Sequence, residues 1–274
     1  MPVRFERSGL AALSDYQSEG YKSLISQLEV VDREFLEKLP QFAHPGYKWH
    51  RDTLHTWSRA WEYSFMLHHV KLECVRQGRR LSIIDFGSGS VFFPFSIARL
   101  GNNVVCFDND PVGVADLQSA TQHVGAGSGS VEGRQSDEHL PIESASADLA
   151  YSVSVLEHMP DPVPIVDEIH RVLRTGGLFV LTMDLDVDGM SGVTPANFEK
   201  LRADLEKHFT WEFAERTVHP LDMLTSKNSP YPRLGEDKIR GLMLRTKTGA
   251  MKPLIGGPNP GVLAVYGCVL RRKQ

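Results

Sequence analysis

The sequence lacks the features that mark membrane, secreted and nucleic-acid-binding proteins. No stretch of its 274 residues approaches the ~18–20 consecutive apolar residues of a membrane-spanning helix. The first residues contain no apolar run long enough for a signal peptide. Acidic residues (34) outnumber lysine and arginine (30), and the resulting net charge of −4 argues against a broad nucleic-acid surface. We therefore expect a cytoplasmic protein without a membrane span that acts on a small molecule.

Cysteine is also scarce. Cys74, Cys106 and Cys268 lie far apart, each within an apolar pattern. An odd number of separated cysteines favours buried thiols in a reducing compartment over a redox pair or a metal site. Histidines are numerous, but they show neither a His-Glu-x-x-His motif nor a Cys/His pairing, so we expect no metal site.

What the chain does contain is a glycine-rich turn at residues 81–101. An apolar run ends in Asp85-Phe86-Gly87-Ser88-Gly89, and an apolar helical pattern then continues to Gly101. Strand, glycine turn and helix in this order bring bare backbone to a helix N-terminus. The stretch therefore predicts a site for a nucleotide-like ligand.

The residues around the two glycines narrow the choice of ligand. A dinucleotide fingerprint requires a glycine where this chain has Phe92, and a P-loop requires a lysine that is absent. The charge of Asp85 would repel a pyrophosphate, but it suits a ligand that carries an ammonium or a sulfonium group.

The Asp-x-Gly-x-Gly sequence resembles the first motif of the class I S-adenosylmethionine-dependent methyltransferases, although Val91 stands where that family often has a third glycine. The resemblance implies S-adenosylmethionine as the cofactor. Gly87, Ser88 and Gly89 would hold its methionine end, and Asp85 would reach its amino group.

A second apolar run, residues 104–107, predicts a buried strand that ends at Asp108. An acid about 20 residues beyond the glycine turn is placed to accept hydrogen bonds from both ribose hydroxyls. Nicotinamide enzymes share this feature, but its combination with Asp85 favours S-adenosylmethionine. We assign the adjacent Asn109 to the same site and expect Asp110 to cap the next helix.

The resemblance to the methyltransferases extends over about residues 81–185. In that family an acid after the third strand binds the adenine amino group. The matching position here is Ser136, and we assign its acidic neighbour Asp137. The fourth strand, residues 148–154, ends at Ser154, which we also assign to the cofactor. The next segment, residues 155–158, resembles the family's segment beside the transferable methyl group.

Methyl transfer to a hydroxyl needs a base, and His158 is the best candidate because its ordinary pKa lies near neutrality. Hydrogen bonding within its own turn is the alternative role for His158, and His50 and His219 are second choices as base. The Asn-Pro-Pro-Tyr run typical of nucleic-acid amino-group methylases in this family is absent. We therefore expect O-methylation of a small acceptor, such as a sugar, a lipid head group or another metabolite.

Strand patterns that alternate with helical ones predict βαβ units and a parallel sheet. The resemblance implies an α/β fold: a doubly wound, mostly parallel, seven-stranded sheet whose last strand, residues 261–270, is antiparallel. We expect a methyltransferase domain over residues 81–274. Its Pro/Gly-rich insertion, residues 219–260 with a helix at 236–244, would be a substrate lid.

Residues 1–80 are expected to form a helical cover. We predict two short helices, near 21–28 and 31–39, a break at Pro40 and a stronger helix from Asp52 to Gly78. The aromatic stripe of that last helix, which runs from Leu54 to Val75, packs in the core. Alternatively, His50, Trp57, Arg59 and Trp61 cover the site.

Two alternative functions remain open, and so does the oligomeric state. A non-catalytic S-adenosylmethionine-binding subunit would keep the core motifs without an acceptor pocket. A nicotinamide-dependent oxidoreductase would share the fold, but it leaves Asp85 without a role. The chain could also form a homodimer, since nothing in the sequence decides its oligomeric state.

Overall fold

The computed structural model describes residues 5–47, 49, 51, 53–189, 193–232, 243–245, 251–253 and 262–274. The helices are α1 Glu19–Phe42, α2 Arg59–Gln77, α3 Phe93–Ala98, α4 Pro111–Ala120, α5 Val163–Val172 and α6 Pro195–His208. The strands are β1 Gly9–Leu10, β2 Ser82–Phe86, β3 Asn103–Asp108, β4 Ser130–Gln135, β5 Ala147–Val153, β6 Leu173–Asp186, β7 Phe209–Trp211, β8 Met243–Arg245, β9 Met251–Pro253 and β10 Leu263–Arg272.

The main sheet has the predicted doubly wound, mostly parallel form. Its path is β1-β10-β6-β5-β2-β3-β4, and β7 also pairs with β10. Strands β2 to β6 are parallel to one another, whereas β10 is antiparallel to β6 and to β7. The expected seven strands, with the last one antiparallel, are confirmed. The two-residue β1 adds an eighth strand at the edge, and β8 and β9 form a separate antiparallel pair.

Helices cover both faces of the sheet. Successive strand side chains point to opposite faces, and accordingly Ile83 of β2 packs in one apolar cluster and Ile84 in the other. Helices α1 to α4 contribute to the first cluster, and α5 and α6 to the second. No helix of the described ranges is long and apolar enough to cross a membrane.

The N-terminal helices differ from the prediction. Residues predicted as two helices form the single helix α1, and Pro40 lies inside its last turn rather than breaking it. The apolar stripe of Leu24, Leu28, Val31 and Phe35 runs through the predicted gap without interruption and keeps the helix packed against its neighbours.

Helix α2 begins at Arg59, later than predicted, and Asp52 lies outside the described residues. It ends, as predicted, at Gly78, which has a left-handed φ of 63°. The predicted buried stripe is confirmed at Trp61 and Phe65 but is wrong at its end, because Val75 is 82% exposed.

Two further helix predictions have different outcomes. The apolar pattern after Pro162 predicts a helix that ends at residues 175–177, but α5 stops at Val172, because the chain passes directly into β6. The predicted helix 236–244 lies outside the described residues except for its last two, which belong to β8. The three cysteines are free thiols; Cys106 and Cys268 are buried and Cys74 is half-buried.

Candidate active site

A cavity of about 1010 Å³ opens at the carboxyl ends of the central parallel strands, where ligands bind in sheets of this kind. The residues that the sequence assigned to the site all line it: Asp85, Gly87, Ser88, Gly89, Asp108, Asn109, Asp137, Ser154 and His158. They come from four separate loops, so the sheet brings them together. The roles we gave them remain proposals.

The glycine turn after β2 forms one wall. Gly87 has a φ of 73°, and a Cβ added there would lie 2.4 Å from Cγ2 of Val155, so no other residue fits without displacing that loop. The amide of Gly87 donates to the carbonyl of Phe107 at 2.8 Å. The Tyr47 hydroxyl accepts a hydrogen bond from the amide of Ser90 at 3.1 Å. These bonds fix the turn against β3 and against the segment between α1 and α2.

Asp85, near the end of β2, also lines the cavity, and it is 3% exposed. The Tyr151 hydroxyl donates to its carboxyl group at 2.7 Å. Burial raises the pKa of Asp85 to about 8, because the described part of the chain places no cation beside it. A ligand ammonium would supply the missing positive charge and favour the carboxylate.

We predict that Asp85→Asn weakens S-adenosylmethionine binding by about 100-fold or more and makes the ligand-free protein less sensitive to pH. A carboxyl group with a raised pKa stabilises the fold below about pH 4, and this contribution is lost as the pH rises towards 8. Urea unfolding of the wild type should therefore show a loss of about 2–4 kcal/mol from this group between pH 5 and 8. The variant should lack that part of the loss; an unchanged pH dependence would contradict the raised pKa.

Asp108, the last residue of β3, forms a hydrogen bond to the glycine turn. Its carboxylate accepts from the amides of Gly89 and Asp110, both at 2.8 Å. A carboxylate has about four acceptor positions, so acceptor capacity remains for the ribose hydroxyls of a cofactor. Burial raises the pKa of Asp108. Asp110 caps α4 as predicted, because its side chain accepts from the amide of Val112 at 2.9 Å.

Replacing Asp108 with Ala should lower cofactor affinity by about 2–4 kcal/mol, because two charge-assisted hydrogen bonds are lost. It should also lower the free energy of unfolding, since two amides lose their acceptor. Asp110→Ala is the matched control: it removes a helix cap worth about 1 kcal/mol from a residue outside the cavity wall. Calorimetric titration should show normal affinity for this control, and normal affinity of Asp108→Ala would rule out the ribose contact.

Asn109 and Asp137 are exposed on the rim of the cavity. The matching family position, Ser136, also lines the cavity, and its amide donates to the carbonyl of Asp108 at 3.0 Å. The adenine contact therefore stays a prediction for Asp137.

His158 also lines the cavity, in the short helical turn Leu156–His158 that follows β5. Partial burial of its ring and the charge of Arg59 lower its pKa, so the imidazole is neutral and can accept a proton at neutral pH. The hydrogen bonds of the described residues do not involve its ring nitrogens. The alternative role of His158, hydrogen bonding within its own turn, is observed only for its amide, which donates to the carbonyl of Val155 at 2.9 Å.

A buried polar network lies beside the loop that carries His158. Glu62 of α2 is fully buried and pairs with Arg59. It also accepts from the hydroxyls of Ser58, Ser154 and Thr182 at 2.7–2.8 Å. Ser154 has a φ of 50°, a conformation that is uncommon outside glycine. The bond to Glu62 therefore fixes the strand end from which the His158 turn begins.

Several residues of the site were not predicted. Tyr47, Tyr151, Glu157 and Asp184 line the cavity. Glu157 alone carried a signal, its position next to His158. The other three are polar residues whose role depends on which strand or loop lies opposite them. The neighbouring sequence does not predict that tertiary arrangement.

The other candidates from the sequence have different positions. Trp57 and Arg59 line the cavity, whereas Trp61 is buried beside Phe65 and donates to Asp15. His219 caps a short turn away from the cavity wall. His50 lies outside the described residues.

Comparison with known proteins agrees with this architecture. Residues 84–181 match the family of methyltransferase domains. The chain is 36% identical over 103 residues to an uncharacterized methyltransferase of Mycobacterium sp. (strain JLS), covering 37% of this chain and 38% of the relative. It is 31% identical over 106 residues to a ubiquinone biosynthesis O-methyltransferase of Psychrobacter cryohalolentis, covering 36% and 39%. The matched region thus spans well under half the length of these relatives.

Two solved structures show the same fold. The YcgJ protein of Bacillus subtilis superposes with a TM-score of 0.50 at 14% identity, over 76% of this chain and 99% of that one. The cyclase SpnF superposes with a TM-score of 0.50 at 16% identity, over 97% and 99%. Fold, glycine turn and family match define a class I methyltransferase domain. The matched region, residues 84–181, is therefore a methyltransferase domain, and S-adenosylmethionine is its cofactor.

Proposed function

We propose that the protein transfers a methyl group from S-adenosylmethionine to a hydroxyl group of a small molecule. The observation that carries this proposal is a single cavity whose wall includes both the glycine turn and His158. The cavity is of the size that holds small-molecule ligands, and an acceptor and a cofactor can therefore meet inside it.

In this proposal the cofactor supplies an electrophilic methyl group, and the chain supplies alignment and a base. Asp85, Gly87 and Asp108 bind and orient the cofactor. A neutral ring nitrogen of His158 accepts the hydroxyl proton as the acceptor oxygen attacks. Trp57 and Val155 on the wall help exclude water.

We also retain the proposed division of the chain into an N-terminal cover and a methyltransferase domain. The cover is supported by Tyr47, Trp49, Trp57, Arg59 and Tyr63, which line the cavity although they precede the first central strand.

The proposal of a lid at 219–260 rests on the sequence, because residues 233–242, 246–250 and 254–260 lie outside the described part. The described residues 219–232 do not line the cavity. They run beside the N-terminal segment, where the amide of Trp57 donates to the carbonyl of Pro232 at 2.9 Å.

The test is to incubate the protein with methyl-labelled S-adenosylmethionine and an extract of its source cells, divided by dialysis into small and large molecules. We expect label in the dialysable fraction and, by NMR, a new methoxy signal. Label confined to protein or nucleic acid would contradict a small acceptor. A labelled N-methyl or C-methyl group would contradict transfer to oxygen.

A further inference from the structure

The mechanism proposed above supplies no positive charge for one carboxyl group of the cavity wall. Glu157 precedes His158 and lines the cavity with Asp184. One of its oxygens, Oε1, accepts from the amide of Asp184 at 3.0 Å. The other, Oε2, is shielded from solvent and has no hydrogen-bond partner among the described residues.

Among the described residues, the groups that face Glu157 do not neutralise it. Asp184 on β6 and Glu62 on α2 are both acidic. The nearby cation, Arg59, is paired with Glu62. Burial and the charge of Asp184 raise the pKa of Glu157 to about 8, so in the empty cavity this group holds a proton at neutral pH. A buried carboxyl oxygen without a partner is unfavourable, and a bound cation would remove that cost.

Asp85, which binds the cofactor in this proposal, is likewise an acid with a raised pKa, and the described residues place no cation beside it. The cofactor's ammonium can neutralise Asp85. The same ammonium cannot also neutralise Glu157, the half-buried acid that precedes the proposed base His158.

We propose that the acceptor is a cationic small molecule: it carries a protonated amine, which Glu157 binds and which orients the neighbouring hydroxyl towards His158. This inference rests on the proposed function and adds the chemical class of the substrate. The apolar part of such a molecule would lie against Trp57, Val155 and Leu263, which line the same cavity.

The experiment uses matched probes on the full chain saturated with S-adenosylhomocysteine. Tyramine carries an amine, para-ethylphenol is its neutral counterpart and phloretate its anionic counterpart; ethanolamine and ethylene glycol form an aliphatic pair. Calorimetry should show that at least one amine binds about 10-fold or more tightly than its matched neutral and anionic probes. At pH 7 this binding should release close to one proton, because Glu157 loses the proton it holds in the empty cavity.

In Glu157→Gln the preference for the amine and the proton release should both disappear, while affinity for S-adenosylhomocysteine stays normal and shows that the variant is folded. Glu143→Gln, which removes an exposed carboxylate outside the cavity wall, should retain the preference. Amines that bind no better than neutral probes in both sets would overturn the inference and leave methyl transfer untouched.

A second outcome would overturn it in a different way. If Glu157→Gln weakens binding of S-adenosylmethionine but not of S-adenosylhomocysteine, the cation that Glu157 meets is the sulfonium of the cofactor and not an acceptor amine. Failure of the wild type to bind either cofactor form would instead reject the proposed function itself.

Discussion

His158→Ala should slow turnover by ~10²–10⁴-fold, the usual effect of losing a positioned base, and leave cofactor affinity unchanged. The reason is that His158 belongs to the loop after β5, whereas the glycine turn and Asp108 bind the cofactor in the proposal. Turnover is measured with saturating labelled cofactor and the acceptor that the labelling experiment identifies, and affinity by calorimetry. His219→Ala is the matched control, because among the described residues the ring of His219 accepts only from the amide of Leu221, outside the cavity wall.

The pH profile gives an independent check on the same residue. The wild-type rate should rise with pH as His158 loses its proton. Since burial and Arg59 lower the pKa of His158, the midpoint should fall below the ordinary value of about 6.5. A variant without His158 that turns over at nearly the wild-type rate would show that the acceptor needs no base, or that another residue serves.

The sheet and the cofactor end of the site could be predicted because their determinants are local. A buried strand, a glycine turn and an acid at a strand end follow one another within a few residues, as at Asp85 and Gly87. The order of such units then predicts a doubly wound sheet.

The acceptor end could not be predicted in the same way. Glu62 lies on α2, Ser154 follows β5 and Thr182 is on β6, yet one carboxylate binds both hydroxyls. Only the packing of α2 over the sheet brings these residues together. The break at Pro40 was predicted wrongly for a related reason: a proline signal is local, whereas the buried stripe that keeps α1 continuous depends on tertiary contacts.

The largest expected loss of stability comes from Glu62→Ala. Burial alone would raise the pKa of Glu62. The charge of Arg59 and the hydroxyl hydrogen bonds outweigh this effect and lower the pKa, so the fold contains a buried carboxylate. Removing it leaves the hydroxyls of Ser58, Ser154 and Thr182 without this acceptor and deprives Arg59 of this ion pair. We expect the free energy of unfolding to fall by about 3–5 kcal/mol, the usual result of breaking a buried charged network from one side.

Urea unfolding at pH 7 measures this loss, and two variants calibrate it. Glu19→Ala removes a carboxylate whose side chain is 75% exposed and paired with Lys22, and it should change the stability little, because exposed ion pairs contribute little. Thr182→Val removes one of the hydroxyl donors and leaves the carboxylate paired, so its effect should lie between the two.

Because Ser154 would lose the bond that holds its left-handed backbone, Glu62→Ala should also weaken cofactor binding through the Val155–Gly87 contact. A loss in Glu62→Ala no larger than that in Glu19→Ala would mean that water reaches this carboxylate and that the network does not hold the acceptor end of the cavity in place.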